Sequence, residues 1–129
     1  MARILSNSYY NKTATVSVIS RQTGKSAQEI YKYVRNGVIV PQVDEYSGFN
    51  LFSMEDADIV DLCEYCRTKL GFSLKSMPYL IALIKEMLPD RSIAEVKEIF
   101  QMMYQVVEVQ EYRKVVNPRY KNAFKRKEK

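Results

Sequence analysis

The residues best equipped for chemistry are few and unevenly placed. Cys63 and Cys66 stand three apart in the stretch Cys63-Glu64-Tyr65-Cys66, a spacing that in other settings binds metal or cycles between dithiol and disulfide. The chain contains no histidine, which removes the commonest metal ligand and the commonest general base. Two thiols alone do not complete a four-ligand zinc site. The same cysteines fall on the apolar side of a predicted helix, where a free thiol packs as a small hydrophobe. The sequence displays no nucleophile–base pair, no phosphate-cradling loop and no cluster of metal ligands. It therefore predicts a protein that is not an enzyme and that uses no cofactor and no metal.

Charge is the more informative chemistry. The net charge over 129 residues is +5, but it is strongly partitioned. Residues 1–41 hold six Lys and Arg against one Glu, residues 42–112 hold six against 13 acids, and residues 113–129 hold eight against one. Cations are thus concentrated at both ends of an acidic middle, so particular segments are suited to meet phosphates. In the basic first third, Gln28, Glu29, Tyr31, Lys32 and Arg35 share the polar side of one predicted helix, with Ser26 at its start and Arg21 in the helix before it. Gln pairs with adenine edges, Lys and Arg with guanine or phosphate, and Tyr with phosphate. In the last stretch Arg119, Lys121, Lys125, Arg126 and Lys127 form a basic tail suited to a polyanion but not specific for DNA over RNA.

The elements that must position these side chains are marked by local signals. A short helix from Thr15 stops at Gly24. Ser26-Ala27-Gln28-Glu29 is a capping box, opening a second helix with Ile30, Tyr33 and Val34 inward and Gly37 as its stop. Two short helices joined by a tight Gly-containing turn are a helix-turn-helix pattern. The β-branched run Val38-Ile39-Val40 ends at Pro41. Residues 42–44 and 49–52 then flank the turn Glu45-Tyr46-Ser47-Gly48 as a small β-hairpin. On this hairpin, or wing, Tyr46, Ser47 and Asn50 are candidate contacts to the nucleic-acid backbone. Ser53 with Asp56 begins a third helix carrying Ile59, Leu62, Cys63, Cys66 and Leu70 at helical spacing. After Gly71-Phe72-Ser73-Leu74 a fourth is expected, with Pro78 in its first turn and Leu80, Ile81, Ile84 and Leu88 inside. Ser92-Ile93-Ala94-Glu95 opens a long fifth helix to about Tyr112. Its stripe Val96, Phe100, Met103 and Val107 suits pairing with a second copy.

The expected fold is mainly α, a winged helix-turn-helix with a small β-hairpin wing, two further helices and a long C-terminal helix. The expected organisation is a polar N-terminal arm (1–14), a DNA-binding domain (15–90), a dimerisation helix (91–112) and a basic flexible tail (113–129). No apolar run approaches the roughly 20 residues of a membrane span, and the N-terminus lacks the apolar stretch of a signal peptide. A cytoplasmic, nucleoid-associated location is expected.

Four pieces in this order resemble the MerR family of transcription regulators. They are Thr23-Gly24-Lys25-Ser26 followed by Ile30 and Tyr33; Asn36-Gly37-Val38-Ile39 with Pro41; residues 47–56, read as wing and following cap; and Gly71-Phe72-Ser73-Leu74. Together they cover about residues 15–88. The resemblance implies that the second helix enters the major groove, that the wing touches the flanking backbone, and that a homodimer formed through the long helix reads a near-palindromic duplex. It does not extend to the effector-sensing segment that the family's regulators carry. Two positions depart from the pattern: Tyr31 and Asn50 stand where the family usually has arginines, each removing a phosphate contact. The functional expectation is a sequence-specific double-stranded DNA-binding transcription regulator. The alternatives are an architectural or recombination-accessory DNA-binding protein, excisionase-like or chromosome-anchoring, and a winged-helix module that binds a protein partner.

Overall fold

The computed structural model describes residues 13–116, with side-chain surroundings given as far as residue 108. Five α-helices and three short strands succeed one another along these residues. Strand β1 is Thr13–Ala14, β2 is Gln42–Val43 and β3 is Asn50–Ser53. Helices α1 (Val16–Thr23), α2 (Ala27–Arg35), α3 (Met54–Lys69), α4 (Met77–Met87) and α5 (Ile93–Val116) complete the set. A single 3-10 turn, Leu74–Ser76, precedes α4. The chain divides into two compact units, the first running to Lys97 and the second starting at Glu98.

Local chemistry defines the helix starts. The Ser26 hydroxyl accepts from the Glu29 amide at 3.2 Å, and the Glu29 carboxylate accepts from the Ser26 amide at 3.4 Å. The same reciprocal box recurs at Ser53 with Asp56 and at Ser92 with Glu95. Each box satisfies amides that a helix start otherwise leaves orphaned. Between α1 and α2 the chain reverses at Gly24, whose φ of 71° belongs to the left-handed region that glycine adopts without strain. The turn is tied by the Gly24 amide donating to the Ser20 carbonyl at 2.9 Å, and by the Ser20 hydroxyl donating to the Lys25 carbonyl. α2 ends in a Schellman motif, with Val38 donating to the Tyr33 carbonyl and Gly37 to the Val34 carbonyl.

The core of the first unit is drawn from β1, β3 and the helices, while both residues of β2 are exposed. Ile19 of α1, Ile30 and Tyr33 of α2, Phe52 of β3, Val60, Leu62, Cys63 and Cys66 of α3, and Met77 at the start of α4 are all buried, as are Ile39 and Val96. Of the N-terminal arm expected over residues 1–14, residues 1–12 lie outside the described residues and Thr13–Ala14 form β1. Thr13 and Ala14 pair antiparallel with Ser53 and Phe52, so the expected two-stranded hairpin is the outer part of a three-stranded sheet in the order β1-β3-β2. The physical reason is that a bare hairpin is marginal in water, and β1 gives it a third strand beside the core. Val43 pairs with Asn50 and Gln42 with Leu51 across the hairpin. Two smaller corrections concern the later helices. Leu88, expected inside, is 36% exposed, because α4 ends at Met87 and the chain turns away there. Helix α5 continues beyond Tyr112 to Val116, taking in the first four residues assigned to the tail. The architecture is otherwise the mainly α winged helix-turn-helix that the sequence predicts.

Candidate nucleic-acid interface

The geometry of the helix-turn-helix sorts the candidate residues into free and occupied groups. Arg21 at the end of α1, and Gln28, Lys32 and Arg35 on α2, are exposed. Arg21, Lys32 and Arg35 make no ion pair with another described residue. Ser26 and Glu29 are also exposed, but their side chains are committed to each other in the capping box. That bond leaves the Glu29 carboxylate next to the α2 amide end, where negative charge is stabilised. Tyr31 and Asn50 are half-buried and meet: the Asn50 amide Nδ2 donates to the Tyr31 hydroxyl at 3.1 Å. The Tyr31 ring also lies against Phe52, centroids 6.2 Å apart and planes tilted by 59°.

The wing tip is tightly built. Asp44 accepts from the Ser47 hydroxyl at 2.7 Å and from the Tyr46 amide at 3.4 Å, while Ser47 accepts from the Phe49 amide at 3.2 Å. Ser47 is therefore engaged in turn geometry, and its hydrogen bond holds the Asp44 carboxyl below the usual carboxylate range. Tyr46 projects almost entirely into solvent, 98% exposed, and Val43 and Phe49 are exposed beside it. With Asp44 and Glu45 alongside, the tip is apolar and acidic in chemistry.

Sequence reasoning did not find the cluster that holds α2 from behind. Lys25, in the turn before α2, pairs with Glu64 of α3 at 3.0 Å. Tyr33 of α2 donates its hydroxyl to the same carboxylate at 3.1 Å, and Arg67 donates to the Tyr33 oxygen at 3.4 Å. The hydrogen bond from Lys25 is the leading reason that the Glu64 carboxyl is held below its ordinary value, while burial raises the Tyr33 phenol to about 12. The partners lie 31 to 39 positions apart in the chain, so no local spacing announces them. The cysteines lie beneath this cluster in the α3 core. Burial pushes Cys63 up to about 12 and Cys66 up to about 11, leaving both as packed thiols.

The residues expected to pair two copies fall on both sides of the unit boundary. Val96 is fully enclosed in the first unit. It is spent on the core and does not belong to an exposed stripe, which corrects its place in the expected seam. In the second unit Phe100 is half-buried, and Met103 and Val107 are exposed together with Met102 and Val106. The tail residues Arg119, Lys121, Lys125, Arg126 and Lys127 lie outside the described residues. Among the described residues no group of His, Cys, Asp and Glu is placed to hold a metal ion, and no helix is long and apolar enough to cross a membrane.

No protein-family model matches the chain. No solved structure matches it. Among curated proteins, the chain is similar to the HTH-type transcriptional regulator CueR from two strains of Vibrio cholerae serotype O1, at 28% identity over 92 residues in each case. The matched stretch is 71% of this chain and 64% of the relative, so the chain spans somewhat under two thirds of the length of the curated relatives it matches.

Proposed function

We propose that the chain is a MerR-type transcription regulator that binds double-stranded DNA, with α2 as the element entering the major groove. The observation that carries this reading is the outer face of α2 with its neighbour α1. Gln28, Lys32, Arg35 and Arg21 are exposed there, and the three cations have no acidic partner among the described residues. A hydrogen-bonding amide flanked by unneutralised cations on a firmly capped helix is what base-edge and phosphate recognition requires. The similarity to a transcriptional regulator of the helix-turn-helix type supports the same conclusion.

Within this reading, residues 15–90 form the DNA-binding domain, residues 91–112 supply the dimerisation helix and residues 113–129 add non-specific attraction. Phe100, Met103 and Val107 face a second copy, and the homodimer reads a near-palindrome. The protein acts in the cytoplasm on the nucleoid. An architectural or recombination-accessory role uses the same contacts and differs only in the event that binding triggers.

The wing favours a second reading. Its exposed Val43, Tyr46 and Phe49 beside Asp44 and Glu45 suit a protein partner better than phosphates, as in a winged helix used as an interaction module. One experiment separates the two. The full chain, and a variant with Arg119, Lys121, Lys125, Arg126 and Lys127 changed to Gln, are each used to select from a random duplex pool. An enriched near-palindrome shared by both establishes sequence reading by the winged helix. Binding without enrichment that disappears with the tail charges refutes it and leaves the protein-interaction reading.

A further inference from the structure

We propose that Tyr31 and Asn50 form a strut that fixes the wing on α2, so that the spacing between reading helix and hairpin is set before DNA is met. The consequence for DNA rests on the proposed function; the strut itself does not.

Tyr31 lies in the middle of α2, and Asn50 is the first residue of β3, paired with Val43 across the hairpin. The bond between their side chains, at 3.1 Å, spans 19 positions of sequence and joins the two surfaces that would both face a duplex. Both residues are half-buried. The Tyr31 ring is braced from beneath by Phe52, two residues along the same strand as Asn50. Phe52 is itself buried and paired with Ala14, so the brace is anchored in the core. Two-residue β2 gives the hairpin few ladder bonds of its own, and a short hairpin is weakly stable unless supported. The side-chain bond and the ring contact supply that support from the α2 side. Two positions that would otherwise reach outward are in this way turned on each other. Holding a contact surface in its bound arrangement improves binding by removing an ordering cost rather than by adding a contact.

The test uses the full chain and the single variants Tyr31→Phe, Asn50→Ala and Asn50→Asp, with two double variants that add Tyr31→Phe to each Asn50 substitution. Amide hydrogen exchange is monitored in residues 43–50, with residues 59–63 of α3 as the control. Loss of one partly buried hydrogen bond is expected to raise wing exchange about fivefold in Tyr31→Phe and Asn50→Ala, with α3 unchanged. Asn50→Asp keeps the wing protected, because a carboxylate accepts from the Tyr31 hydroxyl, and adding Tyr31→Phe removes that protection. On the duplex selected by the wild type, Tyr31→Phe and Asn50→Ala each weaken binding about fivefold, and the two together weaken it no further. Unchanged wing exchange in both single variants overturns the strut. So do affinity losses that multiply in the Tyr31→Phe, Asn50→Ala double variant, since they would mean that each side chain touches DNA by itself. If the wild type selects no duplex, the proposed function fails, and the exchange measurements alone decide the strut.

Discussion

Glu64→Gln tests the account of what holds α2 in place. The substitution keeps the shape of the side chain and an oxygen that can accept from Tyr33, but it removes the charge that pairs with Lys25 at 3.0 Å. The pair is partly exposed, with side chains 23% and 32% accessible, so its Coulombic share is in the range of about 0.2–1 kcal/mol. Changing the acceptor of the Tyr33 bond from charged to neutral adds roughly 0.5–1 kcal/mol. The expected loss is therefore about 1–2 kcal/mol, or a fall in melting temperature of roughly 3–6 °C for a chain of this size. The sign with pH is fixed by the direction of the shift. Glu64 is held below its ordinary value of 4.5 in the folded chain, chiefly by the hydrogen bond from Lys25. Its contribution is fully present above the unfolded value and is lost as pH falls through the lowered folded one. Urea unfolding of wild type and variant should show the full difference at about pH 7 and about pH 5, shrinking by about pH 3. Two results would refute the reasoning. One is a difference below about 0.3 kcal/mol at neutral pH; the other is a difference as large at about pH 3 as at about pH 7.

Four further outcomes are expected. Phe52→Ala removes a ring that is 1% exposed and should destabilise by about 3–5 kcal/mol in urea titrations, with a loss under about 1 kcal/mol showing that the sheet is not seated on the core. Cys63, raised to about 12 from 9.0, holds roughly a thousandfold less thiolate near pH 8 than an ordinary thiol. Both cysteines should therefore stay unlabelled by an aromatic disulfide reagent until denaturant is added, and rapid labelling of the native chain would contradict their burial. On the proposed function, Arg35→Ala should weaken binding to all duplexes and lower the salt dependence by about one phosphate contact, and Gln28→Ala should change preference among sites by about 1–3 kcal/mol. Equal affinity of the Gln28 variant for every site would remove that residue from base reading.

The legible parts of the fold are those written in adjacent residues. Ser26 with Glu29, Ser53 with Asp56, and Ser92 with Glu95 locate three helix starts because each box needs only four residues. Gly24 and Gly37 locate the stops around the helix-turn-helix for the same reason. The hairpin is legible from its turn, but β1 is not. Thr13 and Ala14 come after a polar stretch, and their pairing with Ser53 and Phe52 is settled by tertiary packing 38 to 40 positions away. At the candidate site, exposure of Gln28, Lys32 and Arg35 is set by helical spacing. The meeting of Tyr31 with Asn50 and the convergence of Lys25, Tyr33 and Arg67 on Glu64 depend on how helices and strand stack, which no periodicity encodes. Val96 misleads for a related reason. Periodicity identifies an apolar stripe, but not how much of it the chain's own core takes.

The caps at the two ends of α2 have a consequence for how this protein can change. The helix is started by Ser26 and Glu29 and ended at Gly37, with Ile30 and Tyr33 holding it from within. None of these functions is assigned to Gln28, Lys32 or Arg35. On the proposed function, the lettering on the outside of α2 is thus separable from its frame, so that substitutions at those three positions alter what is read without altering whether a helix is there to read it. A helix built in this way behaves as an exchangeable key blank: its bow and shoulders are fixed by the fold, and its cuts are open to revision one at a time.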